Sequence, residues 1–166
     1  MDSKERPRDH RNKGQGLVEF ALITPVLLLV IWGIIEVAHL LFVVNTVSVA
    51  SREASRYAVG MGVSGGSGLS HWQDCQGIRD AAIRLGKFFG VNNSSVTIFH
   101  DTGPGTTETL VCDGTNPSVS LVGLGDRITV RVTLTYSPWV KVINFPDIPL
   151  SAVSSHTILT EIPLVE

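Results

Sequence analysis

The sequence has little positive charge, and it is clustered only at the N-terminal end. Thirteen Lys and Arg stand against 15 Asp and Glu, which gives a formal net charge of -2 at pH 7. The one basic cluster spans residues 4–13 and is interrupted by acidic residues. Because binding to a phosphate backbone requires a basic stripe or patch, we expect no nucleic-acid partner.

Motifs of the common enzyme classes are missing as well. The glycine-rich segment after residue 59 lacks the lysine and the strand–turn–helix setting of a phosphate-binding loop. The G-x-S-x-G spacing at residues 62–66 lies inside this Gly/Ser-rich segment, without the strand and helix that frame a nucleophile elbow. The histidines and cysteines have spacings that fit no common zinc motif. The sequence therefore predicts no enzyme activity, no metal site and no cofactor.

Cysteine is scarce: Cys75 and Cys112 are the two in the chain, and both follow its long apolar run. Two cysteines in an extracytoplasmic domain favour one disulfide. A loop of this size stabilises the fold by roughly 4 kcal/mol in the chain-entropy model. The alternative, two unpaired thiols, applies if this part of the chain lies in the cytosol.

What the sequence does contain is one long apolar run, from Leu17 to Val44. Its length of about 28 residues exceeds the roughly 20 that a membrane-spanning helix needs. Lys and Arg concentrate before the run, so the positive-inside rule places the N-terminus in the cytoplasm and the larger C-terminal part outside. An ordinary secretory signal would have a shorter apolar core followed by a small-residue cleavage site. We therefore expect a single-pass protein of the cytoplasmic membrane.

Helix-compatible sequence continues beyond the run as far as Tyr57, without Pro or Gly. Ala50, Ala54 and Ala58 recur every four residues and form a ridge of small side chains, which lets another backbone approach closely. Two interpretations are open. The ridge seats the C-terminal head or a neighbouring helix, or it reflects only a high alanine content.

A short motif precedes the run, where residues 13–20 read KGQGLVEF. A basic leader ends at Gly14, four uncharged residues follow, and then come Glu19 and Phe20. This pattern resembles the cleavage motif of type IV pilin-like precursors, in which a membrane peptidase cuts after a glycine and leaves a glutamate at the fifth mature position. The resemblance implies cleavage between Gly14 and Gln15, with Glu19 in that fifth position. A glycine also lets an extended backbone enter a protease cleft without a side-chain clash.

A glutamate near the start of a membrane helix is unfavourable and requires a partner. Cleavage would create one, the α-amino group of Gln15, and pilin-like families are thought to use this pairing to align subunits. N-terminal glutamine can cyclise and lose that charge, so we expect N-methylation or tight packing to prevent cyclisation. The alternative for Glu19 is a simple acid in the first helical turn, which the helix macrodipole favours.

The longer stretch GQGLVEFALITPVLLLVIWGIIEVAHLLF, residues 14–42, is similar to the TadE/TadF family of the tight-adherence (Flp-type) pilus system. The similarity lies in the Gly and Glu-Phe start, the Thr-Pro inside an aliphatic run, the late Gly-Ile-Ile-Glu, and the Ser/Ala-rich continuation. It implies a pilin-like subunit, a pseudopilin or minor pilin, that is located in the membrane and also in an extracellular filament. The implied partners are a prepilin peptidase, other pilin-like subunits, the pilus assembly machinery and membrane lipid.

Two other positions in the run carry predictions. Glu36 shares a helix face with His39, and it either recruits another subunit, together with Glu19 and Phe20, or emerges into headgroups and water. About 29 Å of helix separates it from Leu17, which places it near the far interface and favours solvation. Pro25 predicts a kink or a loosened turn, with Thr24 as a partner for a freed carbonyl.

The rest of the chain predicts a small α+β head. We expect a leader at residues 1–14, a long helix at 15–59, a Gly/Ser linker at 60–70 and an extracytoplasmic head at 71–166. An amphipathic helix over 71–89 packs on an antiparallel sheet with strands at 95–100, 126–140 and 151–162. Pro138 and residues 144–149 break the strand at 126–140. The face of this helix that packs consists of Ile78, Ala81, Ala82, Leu85 and Phe89.

Two functions from different classes follow. The first is a structural subunit of a tight-adherence type IV pilus, assembled through its N-terminal helix. The second is an independent membrane-anchored extracytoplasmic binding domain, for which the helix is a plain anchor. The two differ in processing, because only the first requires mature protein to begin at Gln15.

Overall fold

A computed structural model describes residues 12–65, 68–112, 122–123, 125–139 and 146–159. The leader as far as residue 11, part of the linker, and the predicted strand ends at residue 140 and at 160–162 lie outside these ranges. The described chain divides into two compact units, one that ends at His39 and one that begins at Leu40.

Helix α1 runs from Asn12 to Ala58 and contains Pro25. In the first unit its side chains are almost all exposed, because an aliphatic sequence such as residues 20–35 gives a helix that is apolar on every side. Thr24 Oγ1 donates to the carbonyl of Phe20 at 2.7 Å. The carbonyl that Pro25 leaves without its helical donor is that of Ala21, so Thr24 does not serve it, and this detail of the prediction was wrong.

The second unit begins with the remainder of α1, which carries a buried stripe. Residues at spacings of three and four, the helical period, lie in the core. The stripe consists of Val43, Val47, Ala50, Ala54 and Ala58. Ser55, also buried, donates to Ser154 Oγ at 2.7 Å. The alanine ridge therefore packs against the head, which confirms the first of the two interpretations and not a merely high alanine content.

Helix α2 spans Cys75–Gly86 and lies between two short 3-10 turns, His71–Gln73 and Lys87–Phe89. The single helix predicted for residues 71–89 is thus divided, because Asp74 caps the start of α2 by accepting from the backbone N–H of Gly77. Leu85, expected to pack, is exposed, whereas Gly86 is buried. The buried stripe follows Ile78, Ala82 and Gly86 at steps of four, which places Leu85 at its margin.

Four antiparallel strands form one sheet, in the order β2-β1-β3-β4. The strands are β1 (Val96–Asp101), β2 (Thr109–Leu110), β3 (Arg127–Tyr136) and β4 (Ile148–Thr157). The structure confirms the α+β class. The predicted break over residues 144–149 was too long, because Ile148 and Pro149 already belong to β4. A proline is tolerated there since β4 is an edge strand.

One face of the sheet forms the core with the helices. The central strand β3 contributes Ile128, Val130 and Val132, which lie opposite His100, Ile98 and Val96 of β1. The five aliphatic side chains among these belong to one buried cluster with the α1 stripe and with Ile78 and Ala82 of α2. The alternation of apolar and polar residues in β3 had predicted this one-sided packing.

Candidate functional site

The N-terminal turns of α1 hold the residues of the predicted processing site. A Cβ added at Gly14 would meet no atom within 4 Å, so the backbone at the predicted cut is open on that side. Gln15 and Glu19 are exposed, and Gln15 Nε2 donates to Glu19 Oε1 at 3.3 Å. The glutamate thus lies one helical turn from the residue whose α-amino group cleavage would release.

Phe20 and Glu36 are the other predicted pairing residues of the run. The side chain of Phe20 is exposed, and that of Glu36 is half-buried. Glu36 is three residues from His39, and each has an interaction partner within the structure. The structure brings Gln15 and Glu19 together, but the roles of Gly14, Gln15, Glu19, Phe20 and Glu36 in processing and pairing stay predictions.

The second unit contains the predicted disulfide. Cys75, the first residue of α2, is joined to Cys112, and their Cα atoms are 5.9 Å apart. Both residues are buried in the core. Arg79 Nη2 also donates to the carbonyl of Cys112 at 2.8 Å, so the segment after β2 is held to α2 by a covalent bond and a hydrogen bond.

A buried polar cluster joins the end of α1 to the start of α2. Asp74 Oδ2 accepts from the hydroxyls of Ser64, at 2.6 Å, and Tyr57, at 2.9 Å, while Oδ1 accepts from the N–H of Gly77, at 3.0 Å. Burial by itself would raise the pKa of Asp74, but these hydrogen bonds favour the carboxylate and hold its pKa below the usual value. Gly77 has no room for a side chain, since a Cβ there would overlap Asp74 and Tyr57.

Sequence reasoning missed this cluster. Asp74 could have been found, because an Asp directly before a helical pattern is an N-cap signal. Tyr57 and Ser64 carry no comparable signal, since they meet Asp74 only when the chain after α1 folds back.

The cluster lies in an open cleft of about 810 Å³ that Asp80 and Arg84 also line. All three hydrogen-bond donors to the Asp74 carboxylate belong to the protein, so its role is structural: it connects the end of α1 to the start of α2. We call this arrangement the polar joint.

A second polar group lies at the opposite end of the sheet from the turn after α2. Arg127 Nε is 2.9 Å from Asp101 Oδ1, and His100 Nε2 is 2.9 Å from Asp126 Oδ2. A hydrogen bond from the N–H of Gly123, and then the close contact with His100, lower the pKa of Asp126. Within the described ranges, no group of three or more His, Cys, Asp or Glu side chains could hold a metal ion.

The part of the chain that the structure describes contains one helix long and apolar enough to cross a membrane, by length and composition, at Gly14–Ala58. A family model described as TadE-like protein matches residues 14–56. Searches of curated proteins and of solved structures returned no match to the chain. The family match begins at the glycine of the predicted cut and ends two residues before α1 does. Residues 14–56 are therefore a TadE-like segment, and the resemblance noted in the sequence is confirmed over that range.

Proposed function

We propose that this chain is a pilin-like structural subunit, a pseudopilin or minor pilin, of a tight-adherence type IV pilus system. In this proposal a prepilin peptidase cuts between Gly14 and Gln15, and the mature protein assembles with other subunits through α1. The observation that carries the proposal is the TadE-like match, because it begins with the part of α1, as far as His39, whose apolar side chains are almost all exposed. The assigned role is structural, not enzymatic.

The exposure of the first unit supports a location in lipid. Leu17, Leu22 and Ile23, for example, are all more than half exposed. Burying such a side chain is worth about 1.5–3 kcal/mol, so a helix covered with them needs lipid or other helices around it. Orientation follows the positive-inside rule, with the N-terminus in the cytoplasm and the head outside. An extracytoplasmic head also agrees with the Cys75–Cys112 disulfide.

Processing is the first test. We expect protein extracted from the native membrane to begin at Gln15, as measured by intact mass and N-terminal sequencing. Loss of ammonia from that terminus would show cyclised glutamine and would exclude pairing of a free amine with Glu19. Retention of Met1 through Gly14 would overturn the proposal.

A pair of glycine variants gives the matched control. Neither Gly14 nor Gly33 has an atom within 4 Å of an added Cβ, so Gly14→Val and Gly33→Val should both leave the fold intact. Gly14→Val should abolish cleavage by crowding the protease cleft, while Gly33→Val should be cleaved normally. Equal processing of the two variants would contradict the assigned cut.

Pairing through Glu19 is a separate test. Glu19→Gln removes the charge that would attract a neighbouring α-amino group, while Glu36→Gln makes the same change farther along α1. We expect Glu19→Gln to be processed but to reduce cross-linking between subunits in the membrane, about ten-fold if the pair contributes about 1.4 kcal/mol. A larger loss for Glu36→Gln would move the pairing site to that residue.

The alternative function is an independent membrane-anchored binding domain. The observation in its favour is that the family match ends at residue 56, while α2, the sheet and the disulfide all lie beyond it. On this alternative the leader is retained, and both glycine variants behave like the unchanged protein.

A further inference from the structure

The short turn after α2 presents a large apolar side chain that is more exposed than any other in the described part of the head. Phe88, in the 3-10 turn Lys87–Phe89, is 89% exposed. Its ring is 5.1 Å from that of Phe89, which is in turn 5.4 Å from the ring of Phe42 on α1. The turn ends at Gly90, where a φ of 90° reverses the chain. Phe88 thus lies at a tip and is supported from behind by two aromatic rings.

Contacts between the two helices of the head show which end this tip occupies. Asp74 contacts Tyr57, Arg84 Nη2 is 3.5 Å from Glu53 Oε1, and Phe89 contacts Phe42. Later residues of α2 and its following turn therefore contact earlier residues of α1, so the two helices run antiparallel. The turn after α2 lies near Leu40, the first residue of the second unit. Phe88 therefore lies at that end of the head.

The sheet contributes more apolar surface at the same end. A Cβ at Gly90 would lie 3.9 Å from Leu134 Cδ1, which places the end of β3 and the start of β4 beside the turn. Ile148, the first residue of β4, is exposed there, and Trp139, three residues beyond β3, is 68% exposed. Trp is one of the two side chains that are enriched at the membrane–water interface.

The number of residues between Leu17 and Phe42 is that of a helix long enough to cross the hydrocarbon core and reach the headgroups. Phe42 follows Leu17 by about 25 residues, or about 38 Å of helix. The hydrocarbon core is about 30 Å thick, and headgroups extend it to about 40–45 Å. If the core begins near Leu17, Phe42 and the turn packed on it lie at the level of the outer headgroups.

We propose that the end of the head that bears Phe88 and Trp139 rests in the outer headgroup layer, with Phe88 inserted toward the acyl chains. This inference depends on the proposed membrane anchoring through α1, but it assigns the lipid contact to the head itself. Exposed Lys87 and Asp147 at this end have opposite charges, so aromatic contact rather than charge attraction holds the tip. A head fixed on the bilayer would meet neighbouring subunits in one orientation.

The test uses the full chain in lipid nanodiscs, with single tryptophans as depth reporters. In the first variant Trp72→Phe and Trp139→Phe leave Trp32 as the single tryptophan, which reports on the membrane-spanning part of α1. Phe88→Trp is introduced in a second variant, in which all three native tryptophans are replaced by Phe. Met61→Trp in that same background is the matched control, because Met61 is apolar, 76% exposed and three residues beyond the far end of α1.

Lipids brominated near the headgroup should lower the emission of the Phe88→Trp reporter about two-fold or more. The Met61→Trp reporter should change little, and high salt should not alter either result.

Quenching of Trp32 without quenching of the Phe88→Trp reporter would overturn the inference while membrane anchoring stands. If Trp32 is not quenched either, the anchoring fails and the inference fails with it. A blue shift of the Phe88→Trp reporter that grows with protein-to-lipid ratio, without quenching by brominated lipid, would mean that a second copy covers the tip and would also overturn the inference.

Discussion

The two halves of α1 are continuous in sequence but differ in how they use apolar side chains. Up to His39 the helix is bulky, aliphatic and exposed, whereas from Val43 to Ala58 its apolar stripe is narrow, rich in alanine and buried. The first half has the composition of a helix in lipid, for which no single face is special. The second half has one face shaped for a sheet and α2, because small side chains allow close approach.

The difference shows that the hydropathy of a residue does not reveal whether other parts of the same chain cover it. Leu22 is more hydrophobic than Ala54, but Leu22 is exposed and Ala54 is completely buried. Substitutions that enlarge or remove contacts should therefore affect the second unit strongly and the first unit little. Amide hydrogen exchange on the full chain in nanodiscs can measure both units in one experiment.

The largest effect is expected from the disulfide. Replacing Cys75 and Cys112 together by Ser should lower the free energy of unfolding of the second unit by about 4 kcal/mol, because the unfolded chain loses a constraint across 37 residues of separation. Protection of amides in β1 and β3 should fall by about three orders of magnitude. Amides of residues 20–35 should be unaffected. An equal loss in both units would show that they unfold together.

Overpacking of the alanine ridge comes next. Ala54→Leu forces a large side chain against the sheet and should lower the stability of the second unit by about 3 kcal/mol. Ala21→Leu makes the same change at an exposed position of the first unit and should cost less than about 0.5 kcal/mol. Urea denaturation followed by near-UV circular dichroism would measure both. Tolerance of leucine at position 54 would mean that the ridge does not seat the head.

The polar joint at Asp74 should give a smaller, pH-dependent effect. Because its pKa is lowered in the folded protein, the carboxylate contributes stability above the unfolded pKa, about 4, and this contribution is lost as the pH falls through the folded pKa. Asp74→Asn should reduce stability by about 1–2 kcal/mol at neutral pH. The difference from the unchanged protein should shrink in acid, as thermal unfolding at a series of pH values would show. A difference independent of pH would mean that the charge does not matter.

The smallest effect is expected at the surface ion pair between the helices. Arg84 and Glu53 are 3.5 Å apart, but their side chains are 70% and 37% exposed. Arg84→Ala should therefore change the unfolding free energy by only about 0.2–1 kcal/mol. The same urea titration serves here, and the small difference should vanish at high salt. A loss larger than that of Asp74→Asn would show that charge, not the buried joint, holds the two helices together.

Several elements could be predicted because their signals are local. The apolar run, the alternation in β3 and the helical period of the alanines each depend on a few neighbouring residues. Boundaries were less accurate. Pro149 was predicted to lie in the break between two strands, but it belongs to β4, at the edge of the sheet. Edge position depends on strand order, which no short segment encodes. Leu85 was predicted to pack, but whether it does depends on where the neighbouring elements end.

The sequence by itself determined that one helix is apolar enough for a bilayer, that a glycine and a glutamate flank its start in a pilin-like pattern, and that two cysteines follow it. These properties depend on composition and spacing along the chain. Only the tertiary structure decided that Tyr57 and Ser64 meet Asp74, that the alanine ridge seats the head, and that Phe88 is left exposed at the end where α1 enters. Such features arise from contacts between residues distant in sequence, which form only when α2 folds back along α1.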